Sequence, residues 1–239
     1  MAPISYCCVD IETTGLDSPD VTCVATLVVN LATGQSECQT WYSSLGAVMS
    51  QDKLNGVIDY LYGLHVAGVA LVTFNGLGFD WRVMCDQMGD DNPLAQNRVR
   101  EMALGHHDVM FKFTCEHGYF ASLQSFLEAS DSGISKTGNG KDAITKWCGE
   151  NATRQTQLEV LEYCRNDVQC LSHVYKQLWQ AEPMKRKTKR GSIQTWDHGG
   201  AIDSVQVCLE KFLANPLENS WLRNPPDPIQ MVEWTAAPN

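Results

Sequence analysis

Residues two apart on a strand point to one face. Asp10 and Glu12 stand in that relation in Val9-Asp10-Ile11-Glu12-Thr13-Thr14-Gly15-Leu16, with Ile11 turned the other way. Two carboxylates that close repel unless something neutralises them, and a divalent cation with oxygen ligands is the natural neutraliser. The D-x-E pattern alone carries little, because a chain with 28 acidic residues in 239 yields about one by chance. Its setting gives it weight: a short apolar run precedes it and a Thr-Thr-Gly turn follows. A third acid, Asp80, closes Phe74-Asn75-Gly76-Leu77-Gly78-Phe79-Asp80, which follows a buried strand and opens a helix. Sites in open α/β sheets form outside the carboxyl ends of strands, so Asp80 is placed to meet Asp10 and Glu12. The alternative for Asp80 is a helix cap or first-turn acid. A fourth, Asp167, follows Tyr163 by four residues in Tyr163-Cys164-Arg165-Asn166-Asp167, so both share a helix face. They flank the apolar stripe of that helix and would face a cleft at the sheet edge; a solvated helix edge is the alternative.

The elements that must position these groups can be read from periodicity. Ile4 to Val9 is a short apolar run that predicts a buried strand, and the β-branched Val21 to Asn30 predicts a second. Thr33-Gly34 marks a turn into a third strand over Glu37 to Tyr42, making strands two and three a hairpin. From Met49 to His65 the apolar residues shift to helical spacing. Val69 to Phe74 predicts a fourth strand, Phe79 to Met88 a helix, and Asp108 to Phe113 a fifth strand. A Gly/Ser-rich loop spans 131–142. The longest helix runs from Thr153 to Gln180 on a stripe of Leu161, Cys164, Val168, Leu171, Tyr175 and Leu178, and Pro183 ends it. Hairpin strands followed by alternating helices and strands predict an α/β fold with a sheet of mixed direction.

Composition bounds the function. At 239 residues and 26.6 kDa the chain can bury a core without disulfide or metal staples. Hydrophobic residues at 44% and charged residues at 19% exclude wholesale disorder. No apolar run is long enough for a membrane span, and the N-terminus lacks the features of a secretory signal. Ten cysteines without a CxxC pair read as buried free thiols in a reducing, intracellular setting, placed as cytoplasmic. A net charge of −10 argues against coating nucleic acid by bulk charge, but not against a nuclease whose acids hold cations.

D-x-E after a strand, N-x-x-x-F-D after another and Y-x-x-x-D on a late helix resemble the three motifs of the DEDD 3′–5′ exonuclease superfamily. Tyr163 is similar to the tyrosine of its DEDDy branch; the histidine branch would need His where Glu162 stands. The resemblance covers about residues 1–180, and the stretch from Trp147 through Trp234 is similar to a group of predicted exonucleases of this kind. It implies a ribonuclease H-like fold: a mixed five-stranded sheet flanked by helices over 1–182, with a C-terminal extension over 183–239. It also implies hydrolysis of phosphodiester bonds at single-stranded 3′ ends with two divalent cations, Mg2+ or Mn2+, about 3.5–4 Å apart. Asp10 would bridge both cations, Glu12 and Asp167 would complete the catalytic one, and Asp80 would hold the second through water. Tyr163 would orient the attacking water, since a phenol with a reference pKa of about 10 is a poor general base at neutral pH. Asn75 and Phe79 would support the terminal nucleotide; Thr13, Gly15 and Leu16 would line it, Leu16 as a wedge against a base. Lys136 would touch phosphate or stand as a solvated loop lysine.

The implied partners are single-stranded DNA or RNA 3′ ends, DNA favoured, with no membrane. The motifs cover no polymerase domain, so a proofreading role would need a polymerase or repair partner in trans. Competing readings are a ribonuclease D-like RNA 3′-end processing enzyme and a binding module on an inactive nuclease fold; the second would lose one of the acids, and all four are present. His106-His107-Asp108 reads as the start of the fifth strand rather than a metal cluster. Lys185 to Arg190 puts five positive charges into six residues, a run suited to tracking a nucleic-acid backbone, to a nuclear address or to a solvated linker. Three of the seven tryptophans follow it and are expected to anchor the extension onto its own domain rather than stack bases.

Overall fold

The computed structural model describes residues 5–130, 133–138, 140–180, 183–200, 203–217 and 224–236. Strand β1 (Ser5–Thr13) is apolar and buried toward both faces over Tyr6 to Val9, as a central strand must be. It pairs antiparallel with β2 (Val21–Asn30), which pairs antiparallel with β3 (Ser36–Tyr42) through the turn around Gly34. Helix α1 (Gln51–Val66), N-capped by Ser50, leads to β4 (Ala70–Thr73), parallel to β1 on its other side. Helices α2 (Asp80–Met88) and α3 (Pro93–Gly105) precede β5 (His107–Asp108), which is parallel to β4. The sheet order is β3-β2-β1-β4-β5, the mixed five-stranded sheet expected.

Helices cover both faces. The 26-residue α7 (Arg154–Trp179) packs on β1 and β2, burying Cys164, Val168 and Leu171 with Tyr6, Cys8 and Ala25. On the opposite face α1, α2 and α3 bury Leu54, Trp81 and Val99 with Cys7, Val9 and Ile11. The two-residue period of β1 therefore sends Asp10 and Glu12 into the α7 layer. Thr153 starts α7 with a reciprocal capping box to Thr156.

Between β5 and α7 lie α4 (Val109–His117), α5 (Leu123–Leu127) and α6 (Gly140–Cys148). After α7 the chain forms a two-stranded ribbon, β6 (Met184–Lys187) with β7 (Ile193–Trp196), then α8 (Val205–Ala214), α9 (Pro228–Val232) and a 3-10 turn over Glu233–Thr235. Trp196 is buried in the α7-side core, and the Trp234 indole N–H donates to the Leu77 carbonyl at 3.0 Å. Trp196 and Trp234 thus each contact residues before α7; Trp221 lies outside the described residues. No described helix is long and apolar enough to cross a membrane.

The fifth strand expected over Asp108 to Phe113 is corrected. Only His107 and Asp108 pair with β4, and the chain turns at once into α4. Asp108 caps that helix by accepting the Phe111 amide at 3.0 Å, and Lys112 pairs with Glu116 one turn on at 2.6 Å. Every residue from Val109 to Cys115 is buried, so the apolar run has no exposed side from which a period could be read. The loop expected over 131–142 ends sooner, since α6 begins at Gly140; residues 131, 132 and 139 lie outside the description, as does Ile4. All ten cysteines are free, eight of them buried, with Cys38 half-buried and Cys148 exposed.

Candidate active site

Asp10 and Glu12 sit where β1 reaches its carboxyl end. Pairing with β2 shifts register between Glu12 and Thr13, and the Thr22 hydroxyl donates to the Glu12 carbonyl at 2.9 Å. That irregularity ends the strand just past the second carboxylate. The Thr13 hydroxyl donates to the Gly15 carbonyl at 2.8 Å and closes the following turn.

Asp80 is the first residue of α2 and is held by the loop before it. Asn75 adopts a left-handed backbone, φ 72°, which Asn tolerates better than most residues. Gly76 follows where a Cβ would lie 2.4 Å from the Thr73 hydroxyl oxygen, so no larger residue fits. The Thr73 hydroxyl accepts the Gly76 amide at 3.1 Å and lies 2.9 Å from His106 Nε2. Asp108 pins the same loop from below, accepting the Asn75 amide at 3.0 Å and the Leu77 amide at 2.9 Å.

From α7, Tyr163 and Asp167 face the strand ends. Together with Lys136 they close a cavity of about 350 Å³ whose wall includes Asp10, Glu12, Asp80 and Asp167. Thr13, Leu16, Asn75, Phe79 and Tyr163 are also on that wall. Gly15 is not on it. The Lys136 ammonium stands 2.6 Å from Asp167 Oδ2 and 5.6 Å from the Tyr163 ring centroid.

The electrostatics of the four acids differ from those of their neighbour Asp108. Burial, then the charges of Asp167 and Asp80, push Asp10 well above the usual carboxylate range, and Lys136 only partly offsets this. Burial and then Asp10 do the same to Glu12. Burial, with Asp108 adding to it, raises Asp80 to about 7 against the pull of its own amide and that of Ile11. Burial raises Asp167 against Lys136 and the Tyr163 hydroxyl. Asp108 is as deeply buried, yet His106 and the Leu77 and Phe111 amides hold its carboxyl below the ordinary value. Protein groups satisfy Asp108; they leave the other four short of positive charge. Asp167 Oδ1 is buried with no hydrogen-bond partner among the described residues. Such a donor set, all oxygen and under-neutralised, fits hard divalent cations.

Two participants carried no signal of their own in the sequence. The Cys164 thiol lies with carboxylate oxygens of Asp10 and Glu12 in a group whose atoms are within 4.8 Å of one another. It donates weakly toward the Asp10 carbonyl at 3.6 Å and Oδ2 at 3.7 Å. Cys164 read only as part of the apolar stripe. Asp108 braces the Asp80 loop; its place after two histidines pointed to a strand start and not to this loop, from which it is separated by α2 and α3.

A family model described as the RNase_H superfamily matches residues 7–179. A search of curated proteins returns no match. Among solved structures, a full-length 3′-exonuclease superposes with a TM-score of 0.47 at 13% identity, covering 85% of this chain and 70% of that one. E. coli exonuclease I in complex with a dT13 oligonucleotide gives a TM-score of 0.33 at 12% identity, covering 74% and 44%. The zinc-bound form of the E. coli exonuclease I–single-stranded DNA complex gives 0.38 at 10% identity, covering 75% and 43%. The chain spans less than half the length of these exonuclease I structures.

Proposed function

We propose that this chain, which belongs to the RNase_H superfamily, is a metal-dependent 3′–5′ exonuclease of the DEDDy type acting on single-stranded ends, with DNA favoured. The observation that carries the reading is the meeting of four under-neutralised carboxylates from β1, α2 and α7 with one tyrosine around a single cavity. Asp10, Glu12, Asp80 and Asp167 would hold two divalent cations, Mg2+ or Mn2+. When bound, these supply an activated water and charge stabilisation at the leaving oxygen.

The remaining groups bind and orient. Burial, then Asp167 and Glu12, keep the Tyr163 hydroxyl protonated far above neutral pH, so it donates a hydrogen bond rather than removing a proton. Its place on the cavity wall with Asp167 suits positioning of the attacking water. Lys136, already charged and partly buried against Asp167, is placed to meet the scissile phosphate. Leu16, 69% exposed at the mouth of the cavity, offers an apolar edge to a terminal base. Phe79, Asn75 and Thr13 line the space that base and sugar would fill.

The test is digestion of 5′-labelled single-stranded DNA, duplex DNA and RNA with Mg2+, Mn2+ or EDTA. Loss should proceed from the 3′ end of single strands, stop in EDTA, and fall by at least about a thousandfold in Asp10→Ala. Undiminished hydrolysis by Asp10→Ala, or by the wild type in EDTA, refutes the proposal. Faster digestion of RNA than of DNA moves the substrate class without moving the site.

A further inference from the structure

The basic run from Lys185 to Arg190 is not one surface. In the β6–β7 ribbon, Met184 pairs with Trp196 and Arg186 with Gln194, while Lys185 opposes Thr195 and Lys187 opposes Ile193. Alternation therefore splits the cations between two faces. Arg186 points inward: its guanidinium lies 5.2 Å from the Phe113 ring centroid and 5.0 Å from that of Tyr119. It donates to the Tyr119 hydroxyl at 2.8 Å and to Gln194. Its charge is used to hold the ribbon against the domain. Lys187 pairs with Glu128 at 3.5 Å across the surface.

Lys185, Lys189 and Arg190 are different. They are exposed, and among the described residues their side chains make no ion pair or hydrogen bond. The turn that presents two of them is closed: the Thr188 amide donates to the Ser192 carbonyl at 2.8 Å and the Gly191 amide to the Thr188 carbonyl at 2.9 Å. Gly191 takes the positive φ of 82° that this turn requires. Three uncompensated cations are thus fixed on a chain whose net charge is −10.

The base of the ribbon reaches the cavity wall through two ring contacts. Trp196 packs on Phe126 with centroids 5.9 Å apart, and Phe126 packs edge-on to Phe74 at 6.2 Å. Phe74 lines the cavity. Phe120, directly after the Tyr119 that anchors Arg186, is 55% exposed. We propose that this ribbon is the binding surface for the part of a single strand lying 5′ of the residues in the cavity. Lys185, Lys189 and Arg190 take its phosphates and Phe120 stacks a base. The assignment rests on the exonuclease reading for its direction, but the surface can be tested apart from hydrolysis.

The experiment measures affinity for a fluorescent oligothymidylate of about 20 residues and for one of about four, against salt, with the full chain in EDTA. The variants are Lys185→Gln/Lys189→Gln/Arg190→Gln, Arg186→Gln and Phe120→Ala, each first shown to be folded by circular dichroism. The triple variant should bind the long strand on the order of tenfold more weakly at physiological salt. Its log–log salt slope should be shallower by about 2, at roughly 0.7 per phosphate on single strands. Arg186→Gln should lower the melting temperature and leave the slope unchanged. Phe120→Ala should weaken the long strand severalfold, again without changing the slope. Equal slopes for wild type and triple variant, or equal flattening by Arg186→Gln, overturn the proposal. Absence of wild-type hydrolysis with any cation would instead overturn the exonuclease reading, and the salt slopes would still decide the ribbon's role.

Discussion

Asp80 and Asp108 are both carboxylates at the carboxyl ends of neighbouring strands, buried to a similar degree, and they are pushed in opposite directions. The difference lies in donors: Asp108 has three amides and His106, whereas Asp80 has only its own amide and that of Ile11 against the charges of Asp108 and Asp167. A carboxyl raised to about 7 in the folded state and near 3.8 when unfolded holds its proton longer when folded. Without a cation it therefore costs stability as pH rises through that window. Asp80→Asn should raise the metal-free melting temperature at pH 8 by roughly 10 °C, taking about 4 kcal/mol for three pKa units and about 2–4 °C per kcal/mol for a chain of this size. The rise should be less than half as large at pH 5, where the folded carboxyl is neutral and only the unfolded one has begun to ionise. Scanning calorimetry in EDTA at both pH values checks this; an equal shift at both would show that packing, not charge, is responsible. Tyr163→Phe keeps the ring and removes the hydroxyl. Turnover should fall by about an order of magnitude or more, as for other lost positioning groups, while Mn2+ affinity measured calorimetrically stays near that of the wild type.

At the scale of elements, the loop between β4 and α2 is braced by side chains beneath it. Thr73 and Asp108 accept three of its backbone amides. Asp108→Ala would strand two loop amides and remove the cap of α4. Buried donors left unpaired cost about 1–3 kcal/mol each and a lost cap about 1 kcal/mol. Urea denaturation should show a loss of about 3–7 kcal/mol, with divalent-cation affinity falling because Asp80 loses its fixed position. The sequence made the strand bearing Asp10 and Glu12 legible through its two-residue period, and α7 through its stripe and capping threonine. It placed a fifth strand at Asp108 but ran it on through Phe113 and so hid α4, because a segment buried on every side has no period to distinguish strand from helix. It also hid β6, since Met184-Lys185-Arg186-Lys187 falls in a basic run with no strand period. The apolar partner that makes it a strand, Trp196, is brought in only by the turn at Gly191. Cys164 and Asp108 were invisible as site residues because their partners lie far off in the chain.

At the scale of the molecule, the extension after α7 is tied to the loop that carries Asp80. The Trp234 indole donates to Leu77, and the Val205 amide donates to the His106 carbonyl at 2.9 Å. His106 in turn meets Thr73 beneath the same loop. Residues far past the last acid therefore support the second strand end of the site. Trp234→Ala should cost about 1–2 kcal/mol for a half-buried ring and one hydrogen bond. Hydrogen exchange should show faster opening at Gly76 to Gly78 than at β1 or β2; unchanged protection there would mean that the extension covers the fold without bracing the loop.

The doubly buried β1 also sets which kinds of hereditary change the chain can survive. Its odd and even residues belong to different layers, Cys7, Val9 and Ile11 to one and Tyr6, Cys8, Asp10 and Glu12 to the other. A substitution within Ser5–Thr13 alters one position in one layer. Deletion or insertion of a single codon there exchanges the layers for every residue beyond it, sending both carboxylates toward Leu54 and Trp81 and an isoleucine toward Tyr163. A length change of one residue in this segment should therefore abolish activity, whereas the exposed turn around Gly34 should accept one.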